Sequence, residues 1–159
     1  MQALQNIYKT RENFIRLLNS LDEEAINRIP YGFNNNIIWN FGHIIVTQQL
    51  ICYKLSSLPM YVDAQMVDSY RKGTKPQGIV SVEEIETFKQ MALNTMDQME
   101  EDLKQRRFQQ FQPYTAETFG IRLNNFEEAV GFNAVHEAMH LGYALALNKA
   151  VLRELQPSS

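Results

Sequence analysis

Apolar residues recur at spacings of three and four along four stretches of this chain, the period of helices that each bury one face. Over residues 3–19, Leu4, Ile7, Tyr8, Phe14, Ile15 and Leu18 form one stripe, and Lys9, Glu12, Asn13 and Arg16 form the polar side. Residues 36–56 are apolar on most sides (Ile37, Ile38, Phe41, Ile44, Ile45, Leu50, Ile51, Leu55), which predicts a second, largely buried helix. Within it Trp39, Asn40, His43, Thr47 and Leu50 share a stripe, so a histidine sits about two turns into a buried helix. Ser81 and Glu84 have capping-box spacing, and Ile85, Phe88, Ala92, Met96, Met99 and Leu103 carry a third helix to Arg106. The fourth runs from Asn124 or Asn125 to Leu152, with Phe126, Ala129, Asn133, His136, His140, Tyr143 and Leu147 on its inner stripe.

The intervening stretches are rich in turn residues. Ser20 and Glu23 are spaced as a further capping box for a short helical turn that Pro30 closes, and the polar run from Tyr31 to Asn36 suits a cap for the second helix. Residues 57–80, with Pro59, Gly73, Pro76 and Gly78, read as a long connection, and residues 107–123, with Pro113 and Gly120, as irregular. No segment alternates convincingly in the manner of a strand. Four helices and no sheet predict an all-α protein, a four-helix bundle. The connection over 57–80 is long enough to cross the bundle, so the second and third helices are expected to run parallel.

Composition narrows the class without choosing a function. A length of 159 residues with 45% hydrophobic and 21% charged positions suits a single globular domain over 1–159. The net charge of −3, with no basic cluster larger than Lys104 to Arg107, argues against a nucleic-acid partner. The lone Cys52 rules out an intrachain disulfide framework. No run approaches the roughly 18 apolar residues of a membrane span. No secretory h-region is visible near the N-terminus, and a cytoplasmic location is expected.

All three histidines lie on inward stripes of buried helices. An imidazolium is costly there, so each ring is expected to be neutral, the form that ligates metals. His136 and His140, four positions apart, stack one turn apart on one helix face, and His43 offers a third ligand from another helix. Three histidines with a fourth position open suit a catalytic metal, whereas structural zinc is closed by four protein ligands. The competing reading is three separately hydrogen-bonded histidines.

The string His136-Glu137-Ala138-Met139-His140 also matches the H-E-x-x-H of zinc proteases. Its longer form would need glycine and histidine where Tyr143 and Ala146 stand, and no sheet is evident to hold an extended peptide. Glu137 is then either a general base beside a metal-bound water or an ordinary solvated helix residue. Asn40, Thr47 and Asn133 lie one turn from the histidines as candidates to orient ligands or substrate, and Tyr143 as a candidate pocket residue. Trp39 is a core anchor or a substrate platform. Met91, Met96, Met99 and Cys52 are read as core filler.

Trp39-Asn40-Phe41-Gly42-His43, followed far downstream by His136-x-x-x-His140-x-Gly142, resembles the DinB/YfiT-like family of metal-dependent enzymes. The lead-in Ile29-Pro30-Tyr31-Gly32-Phe33-Asn34-Asn35 and the helix order extend the resemblance over the whole chain. It implies a bundle of up-down-down-up topology and a divalent metal, commonly nickel or zinc, on His43, His136 and His140. It also implies frequent homodimers, and activities that include bacillithiol-type thiol transfer, thiol-dependent isomerisation and hydrolysis. Many relatives carry glutamine after the glycine of the second motif, where this chain has Tyr143, so its substrate pocket is expected to differ. The first expectation is a metal-dependent transferase joining a low-molecular-weight thiol co-substrate to a small-molecule electrophile. The alternatives are a small-molecule hydrolase and a non-catalytic dimeric bundle.

Overall fold

The computed structural model describes residues 2–155; residue 1 and residues 156–159, the ends of the expected domain, lie outside the described residues. Helix α1 (Gln2–Asn19) buries Leu4, Ile7, Phe14 and Leu18 as its stripe requires, and with them Arg11. Helix α2 (Glu23–Asn27) is capped by Asp22, which accepts from the Ala25 amide at 2.8 Å. Ser20 is not the cap, because its hydroxyl turns back to donate to the Leu17 carbonyl at the end of α1.

Helix α3 (Ile37–Gln48) starts at Asn36, whose side chain accepts from the Trp39 amide. The α-helix expected to reach residue 56 ends earlier. It widens into a π-turn over Gln49–Tyr53 and tightens into a 3₁₀ turn over Lys54–Ser56. The wide turn shifts the phase of the helix and buries the Gln49 amide, which donates to Gln48 Oε1 and accepts from the Tyr61 amide. Helix α4 (Ala64–Tyr70), capped by Asp63, interrupts the expected connection over 57–80. Seven residues with Met66 as the one buried position are too few for a periodic signal.

Helix α5 (Val82–Lys104) carries both halves of the Ser81–Glu84 capping box. Strands β1 (Tyr114–Ala116) and β2 (Ile121–Leu123) form an antiparallel hairpin within the stretch expected to be irregular. Three-residue strands cannot display a period of two. Helix α6 (Phe126–Leu155) completes the bundle.

Side-chain bonds fix the helix directions. Tyr8 meets Asp97 and Asn19 meets Lys89, so α1 and α5 are antiparallel. Gln48 meets Met99 and Tyr53 meets Asp102, so α3 and α5 are parallel. His43 lies beside His136 while Asn40 reaches His140, so α3 and α6 are antiparallel. The order α1, α3, α5, α6 is therefore up-down-down-up, with α4 inside the crossover.

The apolar core falls into two clusters. One gathers Phe14, Phe41, Ile44, Ile45, Ala92 and Leu147; the other gathers Ile7, Ile51, Met96, Met99, Phe126 and Val130. Between them along the helices lies a polar layer of Arg11, Gln48, Thr95 and Glu137, each at most 2% exposed. Burying each large apolar side chain contributes about 1.5–3 kcal/mol, while every member of the polar layer must find a partner.

Candidate metal centre

Capping by Asn36 sets the start of α3 and so aims Trp39, Asn40, His43 and Thr47 along one face toward α6. Position 42 must be glycine for α4 to reach that face. A Cβ built there would lie 2.5 Å from Tyr70 Cδ1. The close approach brings the Tyr70 carbonyl to within 2.7 Å of His43 Nδ1. From α6, His136 and His140 meet His43 with ring centroids 5.2 and 4.7 Å away. One ligand atom from each of the three histidines can be chosen so that all lie within 4.8 Å of one another.

The hydrogen bonds assign two tautomers. A carbonyl only accepts, so His43 Nδ1 is the N–H donor to Tyr70, leaving the Nε2 lone pair free to ligate. The Thr47 hydroxyl lies 3.4 Å from that Nε2. Asn40 donates through Nδ2 to the Asn36 carbonyl, which turns its Oδ1 to accept from His140 Nδ1 at 2.7 Å. His140 therefore also keeps its Nε2 lone pair. His136 Nδ1 is buried and has no hydrogen-bond partner among the described residues. Trp39 stacks on His43 at 4.8 Å and 11°, and Phe132 lies over His136 at 5.8 Å and 27°.

Burial holds all three rings neutral. Desolvation lowers the His43 pKa against the opposing bond from Tyr70. Desolvation, reinforced by neighbouring histidines, pushes His136 and His140 down to about 3. Neutral imidazoles with two lone pairs pre-aimed by oxygen acceptors are a donor set suited to a divalent ion. Two nitrogens on one first-row ion span at most about 4.2 Å. The 4.8 Å bound exceeds this by an amount that side-chain rotation closes, so the residues fit.

The histidines line an open cleft of about 530 Å³. Trp39, Leu50, Ile51, Leu55 and Met139 make its helical walls, and the hairpin contributes Ala116, Glu117, Thr118 and Phe119. Phe119 packs edge-on against Phe132 at 5.3 Å. Lys54 and Lys72 also line it, and Lys72 lies 3.5 Å from Glu117.

The structure thus gathers His43, His136, His140, Asn40 and Thr47 in one place. It separates three other expected residues from the cleft. Glu137 is neither beside the histidines nor solvated. It is fully buried on the adjacent face of α6 and holds the Arg11 guanidinium through two bonds of 2.9 and 2.7 Å. Asn133 turns its Nδ2 to Glu137 at 2.8 Å rather than into the cleft. Tyr143, 39% exposed, packs edge-on against Phe33 and does not line the cleft.

The Tyr70 carbonyl, Phe119, Phe132 and the two lysines were not evident as site residues. Backbone acceptors and hairpin side chains leave no spacing signal. Arg11 did leave one, because Leu4, Ile7, Arg11, Phe14 and Leu18 follow a regular three-four alternation with a charge at its centre.

Among the described residues no helix is long and apolar enough to cross a membrane. No curated protein matches the chain. The family comparison does match, over residues 6–144, a span that includes all three histidines and the crossover. The chain belongs to the DinB superfamily.

Proposed function

We propose that this protein is a metal-dependent enzyme that transfers a low-molecular-weight thiol of the bacillithiol type to small electrophiles. The observation that carries this reading is the convergence of three neutral histidines in the wall of an open cleft. His43, His136 and His140 would hold a divalent ion, with nickel and zinc both suited to imidazole donors. When bound, such an ion lowers the pKa of a thiol so that it is deprotonated at neutral pH.

The chain's own residues serve the remaining steps. Tyr70 and Asn40 hold the Nδ1 protons of His43 and His140, keeping both rings in the ligating tautomer. Leu50, Ile51, Phe119, Phe132 and Met139 exclude water from the apolar side, where an electrophile would lie. The carbon–sulfur bond forms as the leaving group departs with its electron pair, a step that asks no protein base to activate water. That suits this cleft. Glu137 is tied to Arg11, and Glu117 is 83% exposed beside Lys72, so among the described residues no carboxylate joins the histidine cluster.

A thiol co-substrate is consistent with a cytoplasmic location. Val135, Leu145 and Leu152, exposed apolar residues of α6 outside the cleft, suit a homodimer of the kind the resemblance implies.

The test begins with elemental analysis of untagged protein, as isolated and after reconstitution with nickel or zinc. Bound metal, together with thiol-dependent consumption of an electrophile that His43→Ala abolishes, is the expected result. Equal turnover with water alone assigns a hydrolase instead. Failure to take up metal refutes the reading.

A further inference from the structure

The Arg11–Glu137 ion pair is a costly feature whose place in the bundle asks for an account. Both side chains have zero exposure. Apolar side chains of similar volume hold a bundle as well as a buried pair does, or better, because neither charge then has to be desolvated. The carboxylate partner, Glu137, sits on α6 immediately after the candidate ligand His136.

We infer that the Arg11–Glu137 pair is a positioning device for His136, acting through Asn133; this rests on the metal-site reading above. Arg11 makes four bonds that tie three helices together. Its Nε and Nη2 donate to the two Glu137 oxygens, and its Nη1 donates to the Ala92 carbonyl at 2.7 Å and to Thr95 Oγ1 at 2.9 Å. Glu137 is thereby fixed against α1 and α5, and with it the rotation of α6 about its own axis. That rotation decides where His136 points.

Asn133 carries the constraint to the ring. Residue 133 lies one turn before both 136 and 137 on the helix surface and so neighbours each. The ionised carboxylate can only accept, so Asn133 must present its NH₂ group to Glu137, which it does at 2.8 Å. Its Oδ1 is left buried with no hydrogen-bond partner among the described residues, and His136 Nδ1 is in the same condition. The other two histidines each place Nδ1 on an oxygen, Tyr70 O and Asn40 Oδ1. Asn133 Oδ1 is the matching acceptor for the third. The two atoms are not hydrogen-bonded to each other here. A turn of the His136 ring onto this oxygen would place its Nδ1 proton there and leave Nε2 as the ligand, so that all three rings would present the same nitrogen.

The test measures zinc and cobalt(II) affinity of the untagged full chain by competition with a chromophoric chelator, and records the visible bands of the cobalt form. Two changes are compared, the paired replacement Arg11→Met with Glu137→Met, and Asn133→Leu. Each is expected to weaken binding roughly ten- to a hundredfold and to shift the cobalt bands. Combined, they should weaken it little more than either alone, since they interrupt one relay.

The urea midpoint of the metal-free paired variant should stay near wild type, so that weakened metal binding and shifted cobalt bands cannot be put down to a loosened bundle. If the paired variant does not fold, Asn133→Leu, which leaves the ion pair intact, decides the matter. Variants that bind both ions as the wild type does, with unchanged cobalt bands, overturn this inference alone. Wild-type protein that takes up neither ion overturns the metal-site reading and this inference with it.

Discussion

Replacing Gly42 by alanine should lower stability and weaken metal binding, although the same change elsewhere in these helices should raise stability. The new Cβ would lie 2.5, 2.7 and 2.8 Å from three carbons of the Tyr70 ring. Carbon atoms are comfortable at about 3.5–4.0 Å, so the ring must retreat by roughly 1 Å. It is not free to do so, because it packs edge-on against Phe88 at 5.3 Å and its carbonyl holds His43 Nδ1. Overpacking of this kind costs about 1–3 kcal/mol. Alanine returns about 0.8–1 kcal/mol of helix propensity. The balance is a loss of up to about 2 kcal/mol, or up to about 8 °C in Tm for a chain of this length.

Gly131 and Gly142 lie within α6, and a Cβ added at either would meet nothing within 4 Å, so alanine there should gain stability through propensity alone. The assay is thermal unfolding of the metal-free proteins, followed by zinc titration of each. Displacing the Tyr70 carbonyl should weaken zinc binding about tenfold or more, since the His43 tautomer loses its anchor. If Gly42→Ala is stabilised as much as Gly131→Ala and binds zinc like the wild type, the close-approach account is wrong.

Three further outcomes are expected. Arg11→Ala or Glu137→Ala alone, unlike the paired replacement, strands a buried charge and should cost about 3–5 kcal/mol, read from the urea midpoint. Metal-free protein should lose stability as pH falls from 7 to 5. Burial lowers the folded-state pKa values of His136 and His140 to about 3, so the unfolded chain takes up protons first, below about 6.5, and stability declines through that window down to about pH 3. A flat dependence between pH 7 and 5 would contradict the buried neutral pair. Asn40→Leu should remove the acceptor at His140 Nδ1 and weaken zinc binding roughly ten- to a hundredfold, with the fold retained by circular dichroism.

The helices α1, α3, α5 and α6, a cap within Tyr31 to Asn36, the cap at Ser81, and three inward histidines could all be read from residue order alone. Each depends on a local rule, either a period of three to four or a short capping spacing, that holds before the chain folds. The convergence of His43 with His136 and His140 was only implied by sequence, because the spacing of residues on one helix says nothing about its distance from another. Packing α3 antiparallel to α6 supplied it.

Tertiary structure alone decided the rest. Glu137 is next to a ligand in sequence, yet one residue of helix turns it about 100° away, toward Arg11 and out of the cleft. The carbonyl of Tyr70 and the ring of Phe119 reach the site from the crossover and the hairpin, where segments are too short to show a period and where the contributing atom can belong to the backbone. Side-chain pattern specifies which face of an element is buried. Only the assembled bundle specifies what that face meets.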